Sequence, residues 1–500
     1  MRSEASATSI LAIGKWLLNG LSIVQGLLLV PLYVHYLGDD VYGYWLATGG
    51  IVTWLNFANM TSGSVLGQRA AMAYGAGDFK RLKAYYYHVL CITCMQLVVA
   101  VAIGYALREV LPHWLKVPSG YYELIADCFF LSVLALAVDQ VASVASSLLV
   151  ATKRTLVFTV INVGASLIGI ITIFVLLKAG YGLWSIPIGA WVKGMLRVLV
   201  ILSVNLFHLM SIDAVIEFNR SVFYDVARVA PLGMVTRFIQ MGVKQADVLI
   251  LGIVLGPQIV TMLVISRRAA DIGEGFLHSL NGALVPMVSR VKGVALADDL
   301  SAVIRKVITL FSVACVFVFS LYAVGNEVFI LTWMGDGFYL GEVFTGAYAV
   351  AIMALLLGNL LNSLIGASGE LNKSAFQVII AEVIRICVLL CGVGLLGVYV
   401  SPLCIFVSGI ILVVLSVKRL GMLCPRCLSR RFLGWWLFGM CFALLAPTVS
   451  GFVELDASWL SLILQVSMGA CALLSLMFLL FSSYIKEMLG YLKISRTGTL

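Results

Sequence analysis

The sequence predicts an all-α polytopic membrane protein. Of its 500 residues 62% are hydrophobic and only 11% are charged, and the mean hydropathy is +1.06. Apolar runs of membrane-spanning length recur from one end of the chain to the other, separated by short polar turns. A soluble core cannot absorb that balance, whereas helices in lipid require it.

A helical span needs ~20 apolar residues. The first run, 9–36, follows the polar leader "MRSEASAT" and has no small-residue cleavage site after it, so it is expected to remain as a span. The second, 42–66, ends before the polar turn "GAGDFKRLK" (75–83), and 84–107 and 123–150 flank the longest outward loop. Lys153 and Arg154 separate 123–150 from 155–177, and a glycine-containing turn separates that run from 183–207. A polar connector, 208–224, then leads to 225–255, 258–285, 303–328, 339–366, 374–397 and 399–417. The basic segment around "CPRC" precedes the last two runs, 432–451 and 459–483. The expected total is about fourteen spans, and runs beyond 25 residues imply tilt or extension past the lipid.

Charge placement sets the expected orientation. One set of loops carries Lys80, Arg81, Lys83, Lys153, Arg154, Arg220, Arg290, Lys292, Lys373, Lys418, Arg419, Arg426, Arg430 and Arg431, whereas the opposite set holds only Arg108, Lys116 and Lys178. Positive loops stay inside, so both termini are expected on the cytoplasmic side of the membrane. The chain also repeats itself: Leu37-Gly38 matches Leu255-Gly256 at an offset of 218, and Asp78 matches Asp298 at 220. An even number of spans per repeat gives both halves the same topology, related by an axis along the membrane normal. The expected organisation is a six-helix lobe (1–207), a cytoplasmic connector (208–224), a second, pseudo-symmetric six-helix lobe (225–420), and two extra helices with a tail (421–500).

Eleven cysteines are scattered mostly through apolar runs. Cys91/Cys94 and Cys424/Cys427 have CxxC spacing without a second pair nearby, so neither a structural metal nor a disulfide is expected. There is no GxxxxGK[ST], HExxH or GxSxG and no soluble domain long enough to bind ATP. No cofactor, nucleic-acid partner or catalytic residue is expected.

The informative residues are polar groups inside the spans, since each charge at mid-bilayer costs ~2.5–3.5 kcal/mol on insertion scales. In "TRFIQMGVKQAD" (236–247), Arg237, Gln240, Lys244 and Asp247 lie along one helical stripe. Arg267, Asp271, Glu274 and His278 form a second stripe, with Arg268 beside it. Lys15, Asn19 and Ser22 share a face of the first span, Lys193 and Arg197 are spaced i, i+4, and Asp139 and Ser143 share a face. Two readings stay open. Intrahelical pairing covers Lys244–Asp247, Arg267–Asp271 and Glu382–Arg385. A wet central cavity with surplus positive charge covers Lys15, Arg237, Lys193 and Arg197, which have no acidic neighbour on their own helices, and such a surplus calls for an anionic substrate group. Asp139, Asp247, Asp271 and Glu274 are the candidates for binding a coupling proton or sodium, Asp139 first because no cation lies at helical spacing from it.

"PLYVHYLGDDVYGYW" (31–45) resembles the P-x-Y-x-x-x-L-G-x-x-x-Y-G-x-W stretch of polysaccharide-unit flippases, within the multidrug/oligosaccharidyl-lipid/polysaccharide exporter superfamily. The resemblance continues through "GAGDFKRL", "ADVLILGIVLG" (246–256), "ALVPMVSRV" (283–291), "LTWMGDGF" (331–338) and "SGELNK" (368–373). It implies two lobes facing a cavity of alternating access, and a glycan cargo linked by diphosphate to a polyprenol such as undecaprenol. It also implies that cavity cations hold that diphosphate, a role that falls to Arg237, Lys244, Arg267, Arg268, Lys15, Lys193 and Arg197. Asp39, Asp40 and Tyr42 are then expected at the outer gate, the two extra helices at a groove for the lipid tail, and a polysaccharide polymerase as partner. The expected function is flipping of lipid-linked oligosaccharide units for cell-surface polysaccharides such as lipopolysaccharide. The alternative is a cation-coupled multidrug antiporter of the same superfamily, whose cavity should instead be net negative. A membrane glycosyltransferase or polymerase would need a large reactive outer loop, and the one near 107–122 is short.

Overall fold

The computed structural model describes residues 2–55, 60–210, 243, 245–292, 297–368, 370–423, 430–451 and 456–496. Every regular element among them is helical. Ten segments are long and apolar enough to cross a membrane, and one of these, Asn372–Met422, holds two helices. The chain divides into two compact units, Met1–Val260 and Thr261–Leu500.

In the first unit the helices are α1 (Arg2–Leu37), α2 (Asp39–Leu55), α3 (Met60–Gly75), α4 (Phe79–Trp114), α5 (Tyr122–Ala151), α6 (Thr155–Lys178) and α7 (Ser185–Met210). A short apolar helix, α8 (Gln245–Leu255), follows, and α9 (Pro257–Ser266) crosses the division between units. The run expected at 42–66 is thus described as two helices, α2 ending at Leu55 and α3 resuming at Met60. Central α5 packs on α2, α3, α4, α6 and α7, and α1 leans on α6 and α2. One core joins Leu66, Leu82, Val89, Ala145, Leu148 and Ile201. A second joins Ala47, Ile51, Leu111, Phe129 and Val133 with Leu249 of α8. That packing of α8 against α2 carries the first unit beyond residue 207.

The matching dipeptides of the two halves do the same job in the backbone. Gly38 (φ +79°) and Gly256 (φ +95°) each take the left-handed conformation between consecutive helices. That region is open to glycine at no steric cost. The two dipeptides therefore share a local backbone geometry.

The second unit continues with α10 (Arg268–Lys292), α11 (Ala297–Met334), α12 (Glu342–Ala367), α13 (Leu371–Leu396), α14 (Val400–Leu423), α15 (Arg430–Gly451) and α16 (Trp459–Arg496). Its centre is α12, whose most apolar window is 78% buried against 17% for α16. It packs on α10, α11, α13, α14 and α15. Gly409 of α14 sits so close to α12 that a Cβ there would come within 2.5 Å of the Leu355 backbone nitrogen. With no hydrophobic driving force between helices in lipid, close backbone approach at small residues helps to hold them together. The last two helices both attach to α11: Trp436 donates from Nε1 to Ser312 Oγ at 3.0 Å, and Gly469 packs on Val324. In both units large apolar side chains such as Val98, Phe207, Leu395 and Leu479 point away from protein. For helices this apolar, the environment that covers them is hydrocarbon.

Candidate functional site

The polar groups expected inside the spans of the first unit lie on α1, α5 and α7, with α6 packed against all three. Lys15, Asn19 and Ser22 of α1 all lie on its exposed face. The opposite face, at Gly14, meets Thr159 of α6 so closely that no Cβ would fit. Lys193 of α7 is half-buried beside Gly169 of α6. Arg197, one turn further, is 9% exposed, and its guanidinium donates to Asp139 Oδ1 of α5. The two residues that had no partner on their own helices are therefore partners of each other, 58 residues apart in the chain. Among the described residues no carboxylate is paired with Lys15 or Lys193.

At the α1–α2 turn, Asp39 is half-buried and accepts from the Asp40 backbone nitrogen at 3.1 Å, while Asp40 is exposed. Tyr42 is buried, its ring 5.6 Å from that of Tyr33. One residue on, Gly43 lies against α9: a Cβ there would sit 2.1 Å from the Pro257 carbonyl oxygen. Gly50 of α2 likewise faces Gln245 of α8. The motif at 37–45 thus forms a tightly closed seam of α2 on α8 and α9, in which the glycine and tyrosine are interior and Asp40 is not.

Arg237, Gln240 and Lys244 lie outside the described residues. Asp247, last of that stripe, is fully buried and accepts from the Val248 backbone nitrogen at 2.9 Å.

In the second unit the helix expected over 258–285 is interrupted at Arg267. Ser266 just before it is fully buried. Its carbonyl accepts from Asn326 Nδ2 at 3.0 Å and Tyr322 Oη at 3.3 Å, and its hydroxyl bridges Phe338 and Leu340. A carbonyl turned out of the helical ladder must find donors elsewhere, and α11 supplies them. Arg267 is 7% exposed and lies 3.6 Å from Asp271, the i, i+4 pairing that the spacing allows. Arg268 and Glu274 are half-buried on α10. Arg385 and Glu382 of α13 pair at 3.7 Å, both buried. No group of three or more His, Cys, Asp or Glu among the described residues could hold a metal ion.

Two ion pairs at helix ends were not legible from spacing. Arg108 of α4 donates from Nε to Asp127 of α5 at 2.9 Å. Glu370, just before α13, receives Arg419 of α14 on both oxygens and Lys373 at 3.3 Å. The hydrogen bonds from Arg419 hold the Glu370 carboxyl down to about 2, against the opposing effect of desolvation and with help from Lys373. A carboxyl depressed in the folded state stabilises it fully above the unfolded value of 4.5 and loses that contribution as pH falls toward 2. The melting temperature of the purified chain should therefore drop between about pH 5 and pH 3, and Glu370→Gln should flatten that part of the profile. Parallel profiles for the two proteins would show that the pair contributes nothing.

The MatE family model matches residues 15–175, from within α1 into α6. No curated protein matches the sequence. Among solved structures, the lipid II flippase MurJ in an inward closed conformation superposes with a TM-score of 0.69 at 13% identity, covering 94% of this chain and 98% of that one. The eukaryotic MATE transporter AtDTX14 gives 0.62 at 14% identity, covering 88% and 99%. A mutant of the Vibrio cholerae MATE transporter VcmN gives 0.55 at 14%, covering 87% and 100%. At such identities the likeness establishes the fold: this chain has the helical architecture of those transporters.

Proposed function

We propose that this chain, built on the fold common to multidrug transporters and a lipid II flippase, flips polyprenyl-diphosphate-linked oligosaccharide units across a bacterial inner membrane. The observation that carries this reading is the sign of the charge in the spans of the first unit. Away from the charges near the helix ends (Arg2, Glu4, Glu123, Lys178, and Asp127, which Arg108 neutralises), Lys15, Lys193 and Arg197 stand against Asp139 alone in α1, α5, α6 and α7. A surplus of cations held in apolar surroundings is stable only with an anion at hand, and a diphosphate offers several charges to lysine and arginine at once. A multidrug antiporter for cationic cargo would need the opposite balance.

In this reading Lys15, Lys193, Arg237, Lys244, Arg267 and Arg268 hold the diphosphate, and Arg197 joins them when it leaves Asp139. Asp139, Asp247, Asp271 and Glu274 are the sites for a coupling proton or sodium. Asp39, Asp40 and Tyr42 belong to the outer gate, with both termini cytoplasmic and a polysaccharide polymerase receiving the product. The polyprenol tail runs in the apolar groove of about 540 Å³ between α11, α15 and α16, lined by Phe438, Leu445, Met468 and Leu476. No covalent chemistry is asked of the protein: alternating access and anion binding suffice.

The test is lipid analysis by mass spectrometry in a strain lacking the gene. Polyprenyl-diphosphate oligosaccharide should accumulate, and wild type should relieve it while Lys193→Ala and Arg237→Ala do not. Unchanged lipid intermediates with altered drug sensitivity would overturn the reading in favour of the antiporter.

A further inference from the structure

The turn between α3 and α4 builds a second basic feature, remote in sequence from the spans that carry the proposed diphosphate site. On α3, Arg69, Met72, Ala73 and Ala76 fall at i, i+3, i+4 and i+7, and so share one face. Asp78, Arg81 and Tyr85 share a face of α4 and its cap in the same way. The two faces enclose a cleft of about 270 Å³. Its floor is small (Ala73, Ala76), and its walls carry two guanidiniums and a phenol from different helices.

The backbone at this turn is already committed. The Asp78 nitrogen bonds to the Ala73 carbonyl at 2.9 Å, and the Asp78 carboxylate caps α4 by accepting from the Arg81 nitrogen at 3.0 Å. The Arg81 guanidinium lies 3.5 Å from Asp78 and remains 69% exposed. With Arg69, Arg81 and Asp78 the cleft is net positive, and Lys80 and Lys83 add to that field from the same turn of α4. The first turn of a helix is the unfavourable end for cations, so helix stability does not account for Lys80 and Arg81 there. At the rim of the cleft the character changes: Met72 is 58% exposed and Phe79 39%, with the Phe79 ring edge-on to Tyr74 at 6.2 Å.

We propose that this cleft binds the headgroup of one anionic phospholipid. Arg69 and Arg81 take the phosphodiester oxygens, and the Tyr85 hydroxyl donates to the same group. The acyl chains leave over Met72 and Phe79. A snorkelling cation needs only water, whereas converging arginines over a walled cleft with an apolar exit match an amphiphile of opposite charge. The flanking apolar groups distinguish this from a site for soluble phosphate.

The test is native mass spectrometry of the purified full chain, titrated with dioleoyl phosphatidylglycerol or dioleoyl phosphatidylcholine. Wild type should hold one phosphatidylglycerol about tenfold or more above phosphatidylcholine. Arg69→Gln with Arg81→Gln should abolish the preference, and the exposed-site variant Arg81→Gln alone should weaken it about threefold or more, which keeps the test open if the double variant does not fold. Arg81→Lys should restore part of it, and Lys178→Gln, at the other end of the spans, should leave it intact. Equal retention of both lipids by wild type, or an undiminished preference in Arg81→Gln, would overturn the proposal. So would displacement of the lipid by millimolar inorganic phosphate, which would mark a site for the free anion. A lipid-analysis failure of the flippase reading would leave this result standing, since the cleft uses none of its residues.

Discussion

Gly43→Val is expected to open the seam between α2 and the α8–α9 corner and, under the proposed function, to stop transport. A Cβ at residue 43 would lie 2.1 Å from the Pro257 carbonyl oxygen and 2.5 Å from its carbon. Those are backbone atoms, so no rotamer change relieves the contact and the helices must part. Overpacking of this kind costs about 3 kcal/mol or more when backbone has to move. The contact joins the helix that follows Gly38 to the one that follows Gly256. It is the place where closure of the outer end would be decided if the proposed alternating access holds.

The effect can be read without a transport assay. Ala47 is 1% exposed within the same seam, and Gly252 of α8 lies against it. In a background without native thiols, a cysteine at Ala47 should resist a maleimide in otherwise wild-type protein and react in the Gly43→Val variant. Gly49, on the same helix, has nothing within 4 Å of its Cβ direction, so Gly49→Val should leave Ala47→Cys protected. Protection in both variants would show that the seam tolerates the side chain and is not the closing contact.

Much of this architecture can be read in the chain because each span carries its own evidence. Helix existence depends on local apolar runs, and Gly38 and Gly256 announce their turns because left-handed backbone leaves few alternatives. Pairing within a helix was equally legible, and Arg267–Asp271 is made as its spacing allows. What spacing cannot carry is contact between helices. Arg108–Asp127, Arg419–Glu370 and Arg197–Asp139 span 19, 49 and 58 residues, and each depends on which helices become neighbours. The interruption at Arg267 was hidden for a related reason. It is held by Asn326 and Tyr322 of α11 on the Ser266 carbonyl, and nothing within 258–285 marks it.

The Asp139–Arg197 pair is where that hidden information bears most on function, and its two halves should not be equivalent. Arg197 has a side chain 10% exposed and Asp139 one 34% exposed. Removing the carboxylate strands a guanidinium that cannot release its proton. Removing the guanidinium leaves a carboxylate that is already about a third exposed and so less dependent on its partner. Asp139→Ala should therefore cost about 3–5 kcal/mol, the usual price of an uncompensated buried charge, and Arg197→Ala about half of that. The double variant should recover most of the loss, because neither charge is then left alone. Thermal unfolding of the four proteins in one detergent gives the cycle. Equal single losses that simply add would show that the two groups act independently. Under the proposed function the same cycle separates structure from cargo binding. Asp139→Asn should weaken stability yet leave Arg197 available to an anion, so added inorganic diphosphate should raise its melting temperature more than that of wild type. If diphosphate stabilises wild type and Asp139→Asn alike, Arg197 is a structural partner of Asp139 and the cargo is held by the lysines.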